Sequence, residues 1–176
     1  MITSKKDNID TIKVSAIIKK LGRIDGNYIE TESTIIYQKQ PFIISLLLGY
    51  RVDLKPDELN EITKVILIIW EYFKGNKKIG VNKITEQLFD RIQLRNAHMV
   101  KYFEGEQGKQ AKSEVLQSDL NHLNSKGLLA GVLLCFNTNE TFIKMDARER
   151  GIVIIGMKTL IECFEELEKT LNTTSN

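Results

Sequence analysis

The chain reads as a mainly α-helical domain with one β-hairpin, flanked by N- and C-terminal helices. Three observations carry this reading. Apolar residues recur at helical spacing over most of the 176 residues. Pro41 and Pro56 stand where a helix first turn accepts proline, followed each time by helix-period apolar residues. Between Ser113 and Met145 a leucine-bearing segment, a glycine, an apolar run, a polar tetrapeptide and a second short run succeed one another.

The first helix is expected over about Ile9–Leu21, with Ile9, Ile12, Ala16, Ile17 and Leu21 as its stripe and Gly22 as its stop. Asp25-Gly26 marks a turn. Tyr28–Tyr37 is rich in β-branched residues but alternates poorly, so helix and strand both stay open there. A short helix after Pro41 is apolar nearly all round, which suits burial or cover by a partner. The helix from Pro56 to Lys74 is apolar on every side over Val65–Trp70, which places it in the core with Trp70 as a packing anchor. Lys74, Lys77, Lys78 and Lys83 then read as a solvated loop in preference to a phosphate-contacting one.

Asn82 is read as the cap of a helix from Lys83 to Phe103 with Ile84, Leu88, Ile92, Met99 and Phe103 as its stripe. Arg95 and Asn96 fall inside that stripe. A buried guanidinium needs a carboxylate such as Glu71, and the simpler expectation is that Arg95 lies at the edge with its head in water. Gly105 and Gly108 interrupt the chain. A helix then carries Leu116, Leu120 and Leu123 inward, Gly127 ends it, Leu129–Phe136 forms a strand, Asn137–Glu140 turns, and Thr141–Met145 returns. The competing architecture is a plain bundle in which Leu129–Phe136 is a buried helix. The last helix spans about Asp146–Leu171, and residues 172–176 are expected to be disordered.

Charged residues make up 27% of the chain and balance to a net +2, which neither requires nor excludes a polyanionic partner. The high lysine, isoleucine and asparagine content suits an AT-rich bacterial genome. Cys135 and Cys163 sit among apolar residues and read as free thiols in a reducing, cytoplasmic setting. No apolar run approaches the roughly 20 residues of a membrane span, and Met1–Asp10 lacks a signal-peptide core. Phosphate-loop, dinucleotide, zinc-protease and nucleophile-elbow motifs are missing, so no enzyme, cofactor or metal is expected. His98 and His122 fall on different helices, and the single Asp119–His122 pair is too little for a helical metal site.

With its leucines inward, the helix before the hairpin turns Glu114, Ser118, Asn121 and Ser125 outward, with Gln117 and His122 on the flanks. Gln117, Ser118, Asn121 and Ser125 have side chains of the kind that read base edges, and Lys112 and Lys126 suit phosphate contacts. Glu114 opposes a polyanion, and Asn137–Glu140 has no basic residue.

From Asp57 to about Asp146, the order of three helices, then Leu120-x-x-Leu123-x-x-x-Gly127-Leu128-Leu129 and a hairpin, resembles the winged-helix superfamily. The resemblance implies a winged-helix-like core over 56–145 within a single domain, a helical extension over 1–55 and a C-terminal helix over 146–171. It also implies a transcriptional regulator that binds double-stranded DNA, with a homodimer formed through the terminal helices as in many bacterial relatives of that architecture. The long helix Lys83–Phe103 and the linker Glu104–Lys112 depart from that pattern. The second functional expectation is a helical protein-interaction domain, of a partner-masking or immunity type, that binds no nucleic acid.

Overall fold

The computed structural model describes residues 5–23 and 25–169. Among them are ten helices and no strand: α1 Lys5–Leu21, α2 Gly26–Lys39, α3 Pro41–Asp53, α4 Pro56–Phe73, α5 Lys77–Val81, α6 Glu86–Gly105, α7 Lys109–Asn121, α8 Lys126–Thr138, α9 Glu140–Lys144 and α10 Ala147–Lys169. None of these is long and apolar enough to cross a membrane. The expectations for Leu171 and residues 172–176 lie outside the described residues.

α4 is the central element. Its run Val65–Trp70 is buried throughout, and α1, α3, α8, α9 and α10 pack on it. α10 crosses α4, α5, α6 and α8 and is itself buried without a break over Thr159–Glu165. The two helices meet through aromatic rings: Trp70 lies 6.4 Å from Phe164, and Phe73 stacks on Phe164 at 4.9 Å. Trp70 therefore anchors packing, and its ring N–H is satisfied by Glu32 Oε2 at 2.8 Å.

Tyr28–Tyr37 falls in α2, whose first turn is capped by Asp25 accepting from the Tyr28 N–H at 3.0 Å. One turn apart on that helix, Tyr28 and Glu32 join an ion network with α4. Lys74 bridges Glu32, at 2.7 Å, and Glu71. Lys20 reaches Glu71 at 2.9 Å, and the Tyr28 hydroxyl donates to the same carboxylate. Burial pushes the Glu71 carboxyl up, but hydrogen bonds from Lys74, Tyr28 and Lys20 outweigh it and hold the group below its ordinary value. The lysine cluster thus divides. Lys77 and Lys83 are exposed, Lys74 sits in this network, and Lys78 donates to the Glu168 carbonyl near the end of α10 at 2.8 Å.

The winged-helix reading is overturned, because its β-hairpin is absent: Leu129–Phe136 lies within α8 and Thr141–Lys144 within α9. Leu128, Leu129, Val132 and Phe136 are buried while Ala130 and Leu134 face out, a helical period and not an alternation. Leucine and alanine favour that outcome, and Val132 is the one β-branched residue in the run. The polar tetrapeptide is a helix junction. Asn139 closes α8 through its N–H to the Cys135 carbonyl at 3.0 Å and caps α9 through its side chain, which accepts from Thr141 N–H at 2.8 Å. Phe136 and Phe142 stack across it at 4.2 Å.

Gly127 is likewise not a helix stop. It lies in the first turn of α8 against α1, where a Cβ would sit 2.8 Å from Asp10 Cβ and 2.9 Å from the Thr11 amide nitrogen. Gly131, one turn on, would meet Val14 Cγ1 at 2.4 Å. The pair forms a flat strip that lets α1 lie against α8. This sets the rotation of α1. Asp10, Val14, Ile17 and Leu21 are buried, whereas Ile9 (58% exposed), Ile12 (71%) and Ala16, three members of the expected stripe, face outward. Tyr72 Oη donates to Asp10 Oδ1 at 2.7 Å, which makes an inward aspartate tolerable.

Two further boundaries differ from expectation. Asn82 ends α5, and α6 begins at Glu86 under Thr85, whose hydroxyl accepts from Leu88 N–H at 3.2 Å. The buried Gln40 side chain holds the intervening chain, accepting from Ile84 N–H at 2.8 Å and donating to the Ile79 and Asn82 carbonyls.

Gly127→Ala should destabilise the fold by about 1–3 kcal/mol in urea unfolding, since its neighbours are backbone and Cβ atoms. Gly49→Ala, with open space around it, should be neutral or stabilise by up to about 1 kcal/mol. Equal effects would show that the α1–α8 approach is not close.

The depressed Glu71 carboxyl stabilises the fold above its unfolded value, near pH 4.3, and that contribution is lost as pH falls through its lower folded value. Unfolding free energy measured from pH 7 to pH 3 should therefore fall less steeply in Glu71→Gln than in the wild type; parallel curves would exclude the network as a source of acid sensitivity.

Candidate functional site

α6 commits only Phe89, Ile92 and Asn96 fully to the interior, which leaves a second set of apolar side chains on its outer sides. Where α6 runs beside α10, two open cavities follow one another. The first, of about 460 Å³, is lined by Asp90, Gln93, Leu94, Ala97, Ile152 and Ile155. The second, of about 370 Å³, is walled by Met99, Val100 and Phe103 of α6, Val115 and Leu116 of α7, and Ile155 of α10. Ile155 lines both, so the two make one trough. Leu94 (59% exposed), Leu116 (49%) and Ile152 (48%) stand along it.

Beneath the second cavity lies a polar knot. Asn96 Nδ2 donates to Glu162 Oε2 at 2.6 Å and to Thr159 Oγ1 at 3.1 Å. Lys158 Nζ donates to Asn96 Oδ1 at 2.6 Å, Glu162 Oε1 at 2.9 Å and Asp119 Oδ1 at 3.1 Å. All three ammonium hydrogens are thereby used. Arg95 adds a bond to Glu162 Oε2 at 3.0 Å while its side chain stays 55% exposed. Arg95 thus lies at the helix edge, as the simpler expectation had it, and its acid is Glu162 and not Glu71.

α7 forms one wall and has no buried residue of its own. It packs on α6 and reaches α10 through the Asp119–Lys158 ion pair. The chain enters it at Gly108, whose φ of 100° suits glycine alone among common residues.

Of the six residues singled out for DNA contact, Gln117, Ser118, Asn121 and Lys126 lie together, whereas Lys112 packs over Phe103 and Ser125 is buried. Gln117, Ser118 and Asn121 lie exposed on one side of α7. Lys112 is half-buried with its ammonium 5.2 Å from the Phe103 ring centre. Ser125 is buried beyond the end of α7, where its N–H donates to Glu165 Oε1 at 2.7 Å. Lys126 opens α8, its ammonium 3.5 Å from Asn121 Oδ1. Leu116, expected inward, faces out.

Burial pushes the Cys163 thiol up to about 12 and the Cys135 thiol upward too, so neither is an activated nucleophile. Among the described residues no group of three His, Cys, Asp or Glu side chains is placed to hold a metal. Of the trough residues, Met99, Phe103 and Leu116 are read from the sequence as core-facing, and those it passes over, such as Leu94 and Val100, are the apolar surplus off the stripe through Ile92. No family model matches the chain, and neither a curated protein nor a solved structure matches it.

Lys158→Met should cost about 3–5 kcal/mol in unfolding free energy, because it leaves the mostly buried Glu162 with the half-exposed Arg95 as its one cation and takes the donor from Asn96 Oδ1. Lys64→Met, on the exposed face of α4 with a pair to Glu61, should cost no more than about 1 kcal/mol. Similar losses would mean the knot bears no more load than a surface pair.

Proposed function

We propose that this chain is a non-enzymatic protein-interaction domain that receives an amphipathic helix of its partner in the α6–α10 trough and so masks that helix. The observation that carries the proposal is the continuity of the trough across Ile155. Apolar side chains stand exposed along about 21 Å of α6, from Asp90 to Glu104, at 1.5 Å per residue. A groove of that length takes about four turns of helix, whose apolar positions at i, i+3, i+4 and i+7 fit a row of exposed apolar residues. Exposed apolar surface concentrated in this way is a feature of contact sites.

The reading gives a site-specific expectation. A photo-crosslinking residue introduced at Leu94 or at Leu116 should capture the same protein from native lysate. Ile155→Glu should abolish both products, and the same probe at Tyr37, exposed on α2, should capture nothing in common with them. Capture that is indifferent to Ile155→Glu, or equal at Tyr37, would refute the trough as the contact site.

A further inference from the structure

The trough has a definite charge pattern. Its acids are Asp90 at one end and Glu104 with Asp119 at the other. Its one basic lining residue, Lys158, has every hydrogen committed to Asn96, Asp119 and Glu162. An incoming segment therefore meets the Asp90 carboxylate at one end of an apolar floor and the Glu104 carboxylate at the other, with the Lys112 ammonium held over the Phe103 ring. The helix that fits has an apolar face with cationic side chains beyond each end of it.

The chain carries such a helix. The outer face of α1 presents Ile9, Ile12 and Ala16, followed by exposed Lys19 and then Arg23. Exposed Lys6 precedes them on the flank. Thirteen residues separate Lys6 from Lys19, about 20 Å of helix, against about 21 Å from Asp90 to Glu104. Cationic side chains near both ends of this α1 face, Lys6 and Lys19, match carboxylates near both ends of the trough, Asp90 and Glu104. The inner face of α1 stays packed on Gly127 and Gly131 of its own chain, so its outer face is offered without unfolding.

Resting on the reading of the trough as a helix-binding site, we infer that its occupant is the α1 outer face of a second copy of this chain. Donor and acceptor are different surfaces, so the contact is head-to-tail and builds a ring or an open chain, not an isologous pair.

Two variants separate the halves of the contact. Ile12→Glu places a charge on the donor face, where the wild-type side chain is 71% exposed, and Ile155→Glu places one in the acceptor. Sedimentation velocity should show wild type growing beyond dimer as concentration rises, and weakening as salt rises. Each variant alone should be a 20.2 kDa monomer, its self-affinity at least about tenfold weaker. An equimolar mixture should form a heterodimer and stop there, because the Ile155→Glu chain still donates α1 and the Ile12→Glu chain still accepts it. That mixture also guards against misfolding, since a misfolded variant could not pair. Wild type that stays monomeric, a variant that self-associates as the wild type does, or a mixture that stays monomeric would each overturn the inference. If the lysate crosslinks at Leu94 and Leu116 still capture a different protein in such a case, the trough remains a helix-binding site with another occupant. If neither assay gives a product, both readings fall together.

Discussion

Two carboxylates on a helix buried all round set the positions of much that surrounds them. Glu162 and Glu165 lie one turn apart within the buried stretch of α10. A buried carboxylate is strongly unfavourable unless hydrogen-bonded and paired, so each gathers donors from neighbouring elements. Glu162 draws in Asn96 and Arg95 from α6 and Lys158 from its own helix, and Lys158 in turn holds Asp119 of α7. Glu165 accepts from the backbone N–H groups of Asn124 and Ser125, the residues that lead into α8. Three of the chain's segments are thereby registered against α10, in a way apolar packing alone, being non-directional, does not achieve.

The trough follows from where those bonds fall. The knot fastens α6 to α10 at Asn96 and Glu162, and α7 to α10 at Asp119 and Lys158. Beside those points the apolar residues of α6 that exceed its core face are left next to Ile155. α7 has no fully buried residue, and the wall it forms is held by the Asp119–Lys158 ion pair, by its contacts with α6 and by Leu120 against the core. The glycine strip of α8 fixes the rotation of α1, and in doing so turns Ile9 and Ile12 to the outside.

Much of the helical framework was legible. The prolines at 41 and 56 start helices, the run Val65–Trp70 is buried, and Arg95 keeps its head in water. The errors concentrate where one residue type serves two physical ends. Glycine is favoured after a helix and also wherever backbones touch, and Gly127-x-x-x-Gly131 is the second case, a spacing that places both on one helix face. Asn139 joins two helices with the same residues that would turn a hairpin. The stripe of α1 was read on the wrong side because Asp10, which sequence places outside, is held inside by the Tyr72 hydroxyl from α4. That pairing spans 62 residues, and no local pattern announces it. Ser125 leaves the outward-facing set because it lies beyond a helix that ends at Asn121.

The measurement that bears most directly on the α10 carboxylates is a double-mutant cycle between Asn96→Ala and Glu162→Ala, read as unfolding free energy in urea. If Glu162 positions α6 through Asn96, the two losses should be coupled by at least about 1 kcal/mol. Losses that add to within about 0.5 kcal/mol would contradict it, and the trough would then have no polar constraint holding α6 in place.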